Sequence, residues 1–159
     1  MCTIKAVIGG NVLAKIDKTV EIRVPTEKVW PMLFWDKLPE WLEGIKKAEY
    51  TSDEKDKVGA TAHVVAESLG LELEFDIEIT EYTRNKAASW RTTGGNFTAI
   101  GNSILKPIDM GTELSLKFDY DLPYSILGKI VDKLLVSRDM EKGFDSGLEK
   151  LKNMLERQA

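Results

Sequence analysis

The chain closes on a long amphipathic helical pattern, about Ser125 to Arg157, that follows six strand-like runs. At 100° per residue, Ile126, Ile130, Met140, Phe144, Leu148, Leu151 and Leu155 form one apolar stripe, with Ser137 and Gly147 on the same line. A helix of that length needs an apolar partner surface to match, and only the inner face of the preceding strands can supply it. A sheet bent around a single helix can leave space between the two layers. That space is the first place to look for a site.

The strands show themselves by alternation. Ile16, Val20, Ile22 and Val24 oppose Asp17, Thr19, Glu21 and Arg23, which marks a half-buried strand over Lys15 to Val24. Pro25 stops it. Thr26 is placed to cap a short helix carrying Val29, Trp30, Leu33 and Phe34, which Pro31, about one turn in, leaves short or kinked. Pro39 is placed to start a second short helix with Trp41 and Leu42, ended by Gly44.

From there the pattern is a meander of Ile45–Asp53, Val58–Ser68, Leu71–Tyr82, Lys86–Thr93, Asn96–Pro107 and Thr112–Leu122. Gly70, Asn85, Gly94-Gly95-Asn96 and Asp109-Met110-Gly111 supply the turn chemistry between them. Leu71, Leu73, Phe75, Ile77 and Ile79 alternate with Glu72, Glu74, Asp76 and Glu78, so the acidic row faces water. Leu114, Leu116, Phe118 and Tyr120 repeat the pattern in the last run. The expected fold class is α+β: a seven-stranded curved antiparallel sheet wrapped around a long C-terminal helix, with two short helices after the first strand. Residues 15–159 read as one domain. Residues 1–14 are an unassigned extension, in which Ile4, Val7 and Ile8 could lengthen the first strand or cover an edge.

Several function classes are disfavoured. A net charge of −4 offers no basic face for nucleic acid. Cys2 is the only cysteine and His63 the only histidine, so neither a disulfide nor a conventional metal site is expected. No run approaches 18 apolar residues, and Met1 to Ala14 lacks the apolar core of a secretory signal; the expectation is a cytoplasmic protein without stable membrane insertion. No Gly-x-Ser-x-Gly elbow occurs, and Gly94-Gly95-Asn96 lacks the helix and lysine of a phosphate loop. No cofactor is expected.

The order of elements, with certain residues at certain steps, resembles the START-like superfamily of helix-grip proteins, and within it the polyketide cyclase/dehydrase and lipid-transport branch. The residues that carry the likeness are Val24-Pro25 with Val29-Trp30, Pro39-Glu40-Trp41, Val58-Gly59, Trp90, Pro107, Gly111-Thr112, and a closing Leu148…Leu151-Lys152…Leu155-Glu156. The likeness covers about Lys15 to Gln158. It implies the helix-grip fold and a cavity between sheet and helix. It does not choose an activity, because its members include cyclases, lipid carriers, coenzyme-Q-binding proteins, plant hormone receptors and chaperone activators.

On that footing the inward positions are candidates for binding a hydrophobic small molecule: a lipid, an isoprenoid or a polyketide-like compound. They are Val20, Ile22, Leu73, Phe75, Ile77, Trp90, Ser103, Leu116, Phe118, Tyr120, Ser137, Met140 and Phe144. Parity in the sixth run is open, since Phe97, Ala99, Gly101 and Ser103 compete with Thr98, Ile100, Asn102 and Ile104. The small set would leave volume unfilled. A void on the order of 300 Å³, at ~24 cal/mol per Å³, would cost roughly 7 kcal/mol.

A carrier or sensor is the leading expectation, ahead of a cyclase or dehydratase and of a protein-interaction module of the chaperone-activator kind. For catalysis the weak candidates are Tyr120 and His63, the latter on a strand face with Thr61, Val65 and Glu67, where a surface or rim position is the simpler reading. Leu127, Leu134 and Leu135 diverge from the helix stripe; they either pack against the short helices, the commoner fate, or form an exposed apolar lip that would suit ligand entry, membrane contact, a dimer or a protein partner.

Overall fold

A computed structural model describes residues 7–8, 11–12, 14–121 and 133–158. Cys2, Ile4, Pro123, Ile126, Leu127, Ile130 and the expected helix start at Ser125 lie outside the described residues. Strands β1 (Val7–Ile8) and β2 (Asn11–Val12) pair only with each other as a separate ribbon, so Val7 and Ile8 do not lengthen the first long strand.

The main sheet holds seven antiparallel strands: β3 (Ala14–Ile22), β4 (Ile45–Tyr50), β5 (Thr61–Ser68), β6 (Leu71–Thr83), β7 (Ala87–Gly95), β8 (Thr98–Ile108) and β9 (Gly111–Asp121). Their spatial order is β3-β9-β8-β7-β6-β5-β4. Strands β3 and β4 follow each other in sequence yet sit at opposite edges. The segment between them must therefore span the open side of the curl, and it carries the short helices. The long helix α2 (Lys133–Arg157) lies in the grip of the sheet. This is the expected helix-grip architecture.

The short helices differ in detail from expectation. Pro25, not Thr26, holds the N-cap position of α1 (Thr26–Val29), with φ −67° and ψ 160°, and no side chain caps it. Proline's fixed φ suits that extended cap residue, and its carbonyl accepts from the N–H groups of Lys28 and Val29. A 3-10 turn over Trp30–Leu33 follows directly. A second 3-10 helix runs from Trp35 to Glu40, with Pro39 inside it and not at its start. Phe34 is extended and restarts the winding; Trp41 and Leu42 both donate back to the Leu38 carbonyl and close the turn beyond Pro39.

Strands β4 and β5 are shorter than their apolar runs, because the 51–60 connection makes its own bonds. Gly59, at φ 91°, donates to Ile79 O, and Ile79 donates to Ala60 O, so this stretch joins β6 before β5 begins at Thr61. At the far end, Gly111 opens β9 with φ 151°, where an added Cβ would overlap the Ile22 carbonyl. Thr112, fully buried, donates its hydroxyl to Val24 O at 2.8 Å. Thr112 thus satisfies a backbone carbonyl just beyond β3, where the chain leaves for α1, and Gly111 leaves room for that close approach.

Helix α2 is anchored mainly on β3. Lys152 donates to Glu21 O, Glu156 accepts from Arg23 N, and Lys18 pairs with Asp145. Val136, Leu148, Leu151 and Leu155 are buried, and Gly147 lets the helix pass close to the Trp41 carbonyl, which an added Cβ would approach to 3.0 Å. On the β5 side the tie is polar: Ser68 Oγ donates to Asp139 at 2.7 Å.

Candidate functional site

Between the sheet and α2 lies a cavity of ≈ 140 Å³. Its walls are built from three sources. The short helices give Trp30, Leu33, Phe34, Trp35, Leu38, Trp41 and Leu42; the sheet gives Leu73, Phe75, Ile79, Trp90, Phe97, Leu116 and Phe118 among others; helix α2 gives Met140 and Phe144. The rings touch in series. Phe75 packs on Phe97, Phe97 on Tyr120, Tyr120 on Phe118, and Phe118 on both Phe144 and Trp90, with centroids 5.0–6.2 Å apart. Trp35 meets Trp90 edge to face at 5.1 Å.

The cavity is about half the void the small residues of β8 suggested. Phe97, Ala99, Gly101, Ser103 and Leu105 do face inward, while Ile100 and Ile104 face out. The Trp90 indole, however, fills the space above Gly101, where an added Cβ would stand 2.7 Å from two of its ring atoms. Left empty, the remaining volume would cost about 3 kcal/mol at ~24 cal/mol per Å³. A second, more polar hollow of ≈ 350 Å³ lies between α2 and the end of β5. It shares Leu42, Ile45, Ala66, Leu73, Met140 and Phe144 with the cavity, so one layer of side chains divides them.

Of the residues singled out from sequence, Leu73, Phe75, Trp90, Ser103, Leu116, Phe118, Met140 and Phe144 line the cavity. Ile77 is buried in the same core without reaching the cavity wall. Val20 and Ile22 belong to the neighbouring cluster around Val24, Leu114 and Leu151. Tyr120 and Ser137 hydrogen-bond each other at 2.7 Å and stand outside the lining. Burial raises the Tyr120 pKa, against the opposing pull of that bond.

His63 is on the outer face of the sheet, away from the cavity. Its Nδ1 lies 2.7 Å from Asp76 Oδ1 and its Nε2 2.9 Å from Glu74 Oε1, and these two hydrogen bonds raise its pKa. Among the described residues no group of three or more histidine, cysteine or acidic side chains is placed to hold a metal ion, and no helix is long and apolar enough to cross a membrane. Leu134 and Leu135 are 53% and 51% exposed.

Two polar residues of the lining escape simple alternation. In β6 the inward residues are Leu73, Phe75, Ile77 and Ile79, which would send Tyr82 outward. The pairing with β7 skips Thr80, and this bulge turns Tyr82 in. In β4 the pairing with β5 skips Lys46, and Ala48 and Tyr50 face inward with Ile45 as a result. The Tyr82 hydroxyl accepts from Trp30 Nε1–H, and the Tyr50 hydroxyl from the Trp35 backbone N–H, each at 3.0 Å. Burial, before any other cause, pushes the Tyr50 pKa well above the ordinary phenol range. Lys55 lies over the Phe34 and Tyr50 rings at 5.1 and 5.8 Å and pairs with Asp36.

Comparison with known proteins follows the fold. A family profile described as polyketide cyclase / dehydrase and lipid transport matches residues 14–156. An uncharacterized 17.2 kDa protein of Streptomyces lincolnensis is 27% identical over 146 residues, 91% of each chain. Among solved structures, TTHA0849 of Thermus thermophilus superposes with a TM-score of 0.75 at 21% identity, covering 92% of this chain and 99% of that one. The Zhui aromatase/cyclase of Streptomyces sp. R1128 gives 0.73 at 15%, covering 92% and 95%. A START superfamily protein of Mycobacterium smegmatis gives 0.71 at 15%, covering 91% and 99%. At these identities the structural likeness is one of fold.

Proposed function

The chain belongs to the polyketide cyclase / dehydrase and lipid transport family, and we propose that it binds or carries a hydrophobic small molecule in the cavity between sheet and α2. The observation that carries this is the lining itself: an aromatic and aliphatic wall contributed by the short helices, the sheet and the helix together. Removing an apolar ligand from water is worth roughly 25 cal/mol per Å² of buried area, which offsets the cost of keeping such a volume open. A few polar groups at the wall then orient what is bound.

A second reading, a cyclase or dehydratase, draws support from the likeness of fold to the Zhui aromatase/cyclase. The chemistry of the lining favours binding. Its titratable groups are Tyr50, Tyr82, Lys55 and Lys117, and a buried phenol that keeps its proton is a donor and not a base. The exposure of Leu134 and Leu135 supports a protein contact or self-association as an additional property of α2.

Native mass spectrometry of gently purified protein tests the proposal. The expected result is a mass above that of the polypeptide, lost on solvent extraction, with the extracted compound rebinding. A bare polypeptide mass, combined with failure to take up any apolar compound offered, would overturn it.

A further inference from the structure

The interior strand β8 carries apolar side chains on the face of the sheet turned away from α2: Ile100 and Ile104, 38% and 41% exposed. The other exposed large apolar residues among those described lie in turns (Val58, Leu69, Met110) or on α2 (Leu134, Leu135). Two isoleucines alone need no partner. The charges that flank them point to one.

Cross-strand register sets Ile100 at the centre of a row of five outward residues: Lys15 on β3, Asp119 on β9, Ile100 on β8, Arg91 on β7 and Glu78 on β6. The row runs positive, negative, apolar, positive, negative, so reversing it puts the opposite sign at every charged place. With a second copy turned about a two-fold axis along β8, Asp119 of each copy faces Arg91 of the other. Lys15 then faces Glu78, and Ile100 meets Ile100. Within one chain Arg91 pairs with Glu78 at 3.1 Å at the surface, while Lys15 and Asp119 form no ion pair among the described residues.

The neighbouring rows tolerate the same axis. Thr19, Ser115, Ile104, Ala87 and Thr83 make an uncharged row in which Ile104 meets Ile104. Between the two rows, Asp17 faces Glu81 of the second copy, and Lys117 beside Asp17 offsets that repulsion. An open hollow of ≈ 740 Å³, lined by Lys15, Arg91, Ile100, Asn102, Lys117 and Asp119, leaves room for the facing side chains to interdigitate. Five strands about 4.8 Å apart, over the length of β8, present roughly 700 Å² of sheet, near the ~800 Å² per partner of a standard interface. Stacked sheets cross at about 30°, which shifts the inner Arg91–Asp119 pairs by ~2.5 Å and the outer Lys15–Glu78 pairs by twice that. The inner pairs decide the match.

We infer that the outer face of β3-β9-β8-β7-β6 is an interface between two copies of this chain, related by a two-fold axis along β8. The inference is independent of the cavity and of what the cavity binds.

Sedimentation of the whole chain over a concentration series tests it. The wild type should move from the mass of one chain toward twice that mass. Arg91→Asp sets carboxylate against carboxylate at both inner pairs, and Asp119→Arg sets guanidinium against guanidinium. Each variant alone should self-associate at least tenfold more weakly. Mixed in equal amounts, the two should regain the wild-type mass, because each now meets the opposite sign at both inner pairs. A wild type that stays at the mass of one chain would overturn the inference. So would a mixture no more associated than its components, both shown folded by circular dichroism. Self-association that survives both reversals and is lost in Leu134→Glu with Leu135→Glu would also overturn it, by placing the contact on α2. Ile100→Lys keeps the test open should a reversal fold poorly. It places two ammonium groups on the axis and should abolish the dimer, and a dimer that persists in it would overturn the inference.

Discussion

The Trp90 indole occupies the space a side chain on Gly101 would need: an added Cβ would meet two indole atoms at 2.7 Å and Phe118 Cβ at 2.8 Å. One strand gives up its side chain so that its neighbour's largest residue can lie across it and form a wall of the cavity. Gly101→Ala must displace both Trp90 and Phe118. Overpacking of this kind costs about 1–3 kcal/mol. Urea denaturation should show that loss, and the displaced indole should weaken binding of any cavity ligand.

The start of β9 makes a second demand. Thr112→Val keeps the shape but leaves the Val24 carbonyl without its buried hydroxyl donor. The expected destabilisation is about 1–3 kcal/mol, read from the midpoint of urea denaturation. Thr112→Ser should recover most of the hydrogen-bond share of that loss.

Tyr120 donates to or accepts from Ser137, and that bond ties β9 to α2 outside the cavity wall. Tyr120→Phe should therefore lower stability by about 0.5–1.5 kcal/mol in thermal or chemical unfolding. Ligand affinity should stay within twofold of the wild type. A catalytic role for this hydroxyl predicts the opposite pattern, with stability kept and turnover lost.

His63 gives a pH-dependent signature. With a carboxylate oxygen close to each ring nitrogen, both nitrogens must donate, which requires the imidazolium. Its folded pKa is raised above the ordinary 6.5, with the Asp76 hydrogen bond the largest cause and the Glu74 bond next. The stability this group contributes is fully present below about pH 6.5 and is lost as pH rises through the folded value. The three side chains are well exposed, so solvent screening keeps the contribution small. An NMR titration of the His63 ring should give a midpoint above 6.5, moved down by Asp76→Asn and further by adding Glu74→Gln.

The fold was legible because its strands alternate cleanly and its helix carries a long single stripe. Leu73, Phe75, Leu116 and Phe118 lie on the cavity side as their parity requires. What escaped was set by local irregularity. A skipped residue in each of β4 and β6 turns Tyr50 and Tyr82 inward, and no periodicity announces a bulge. Trp35 escaped because the second short helix begins four residues before the proline that looked like its start. Size alone misled at Gly101, since a small residue marks either a void or the seat of a large neighbour, and here it seats Trp90.

The central claim is that an apolar ligand enters the space between sheet and α2, and methyl-resolved NMR tests it most directly. Titration with 1-tetralone should shift the methyl signals of Leu33, Leu73, Leu116 and Met140, which surround the cavity. The signals of Ile100 and Ile104 on the outer face should stay in place. Shifts confined to Ile100, Ile104, Leu134 or Leu135, with the cavity methyls unmoved, would contradict the account.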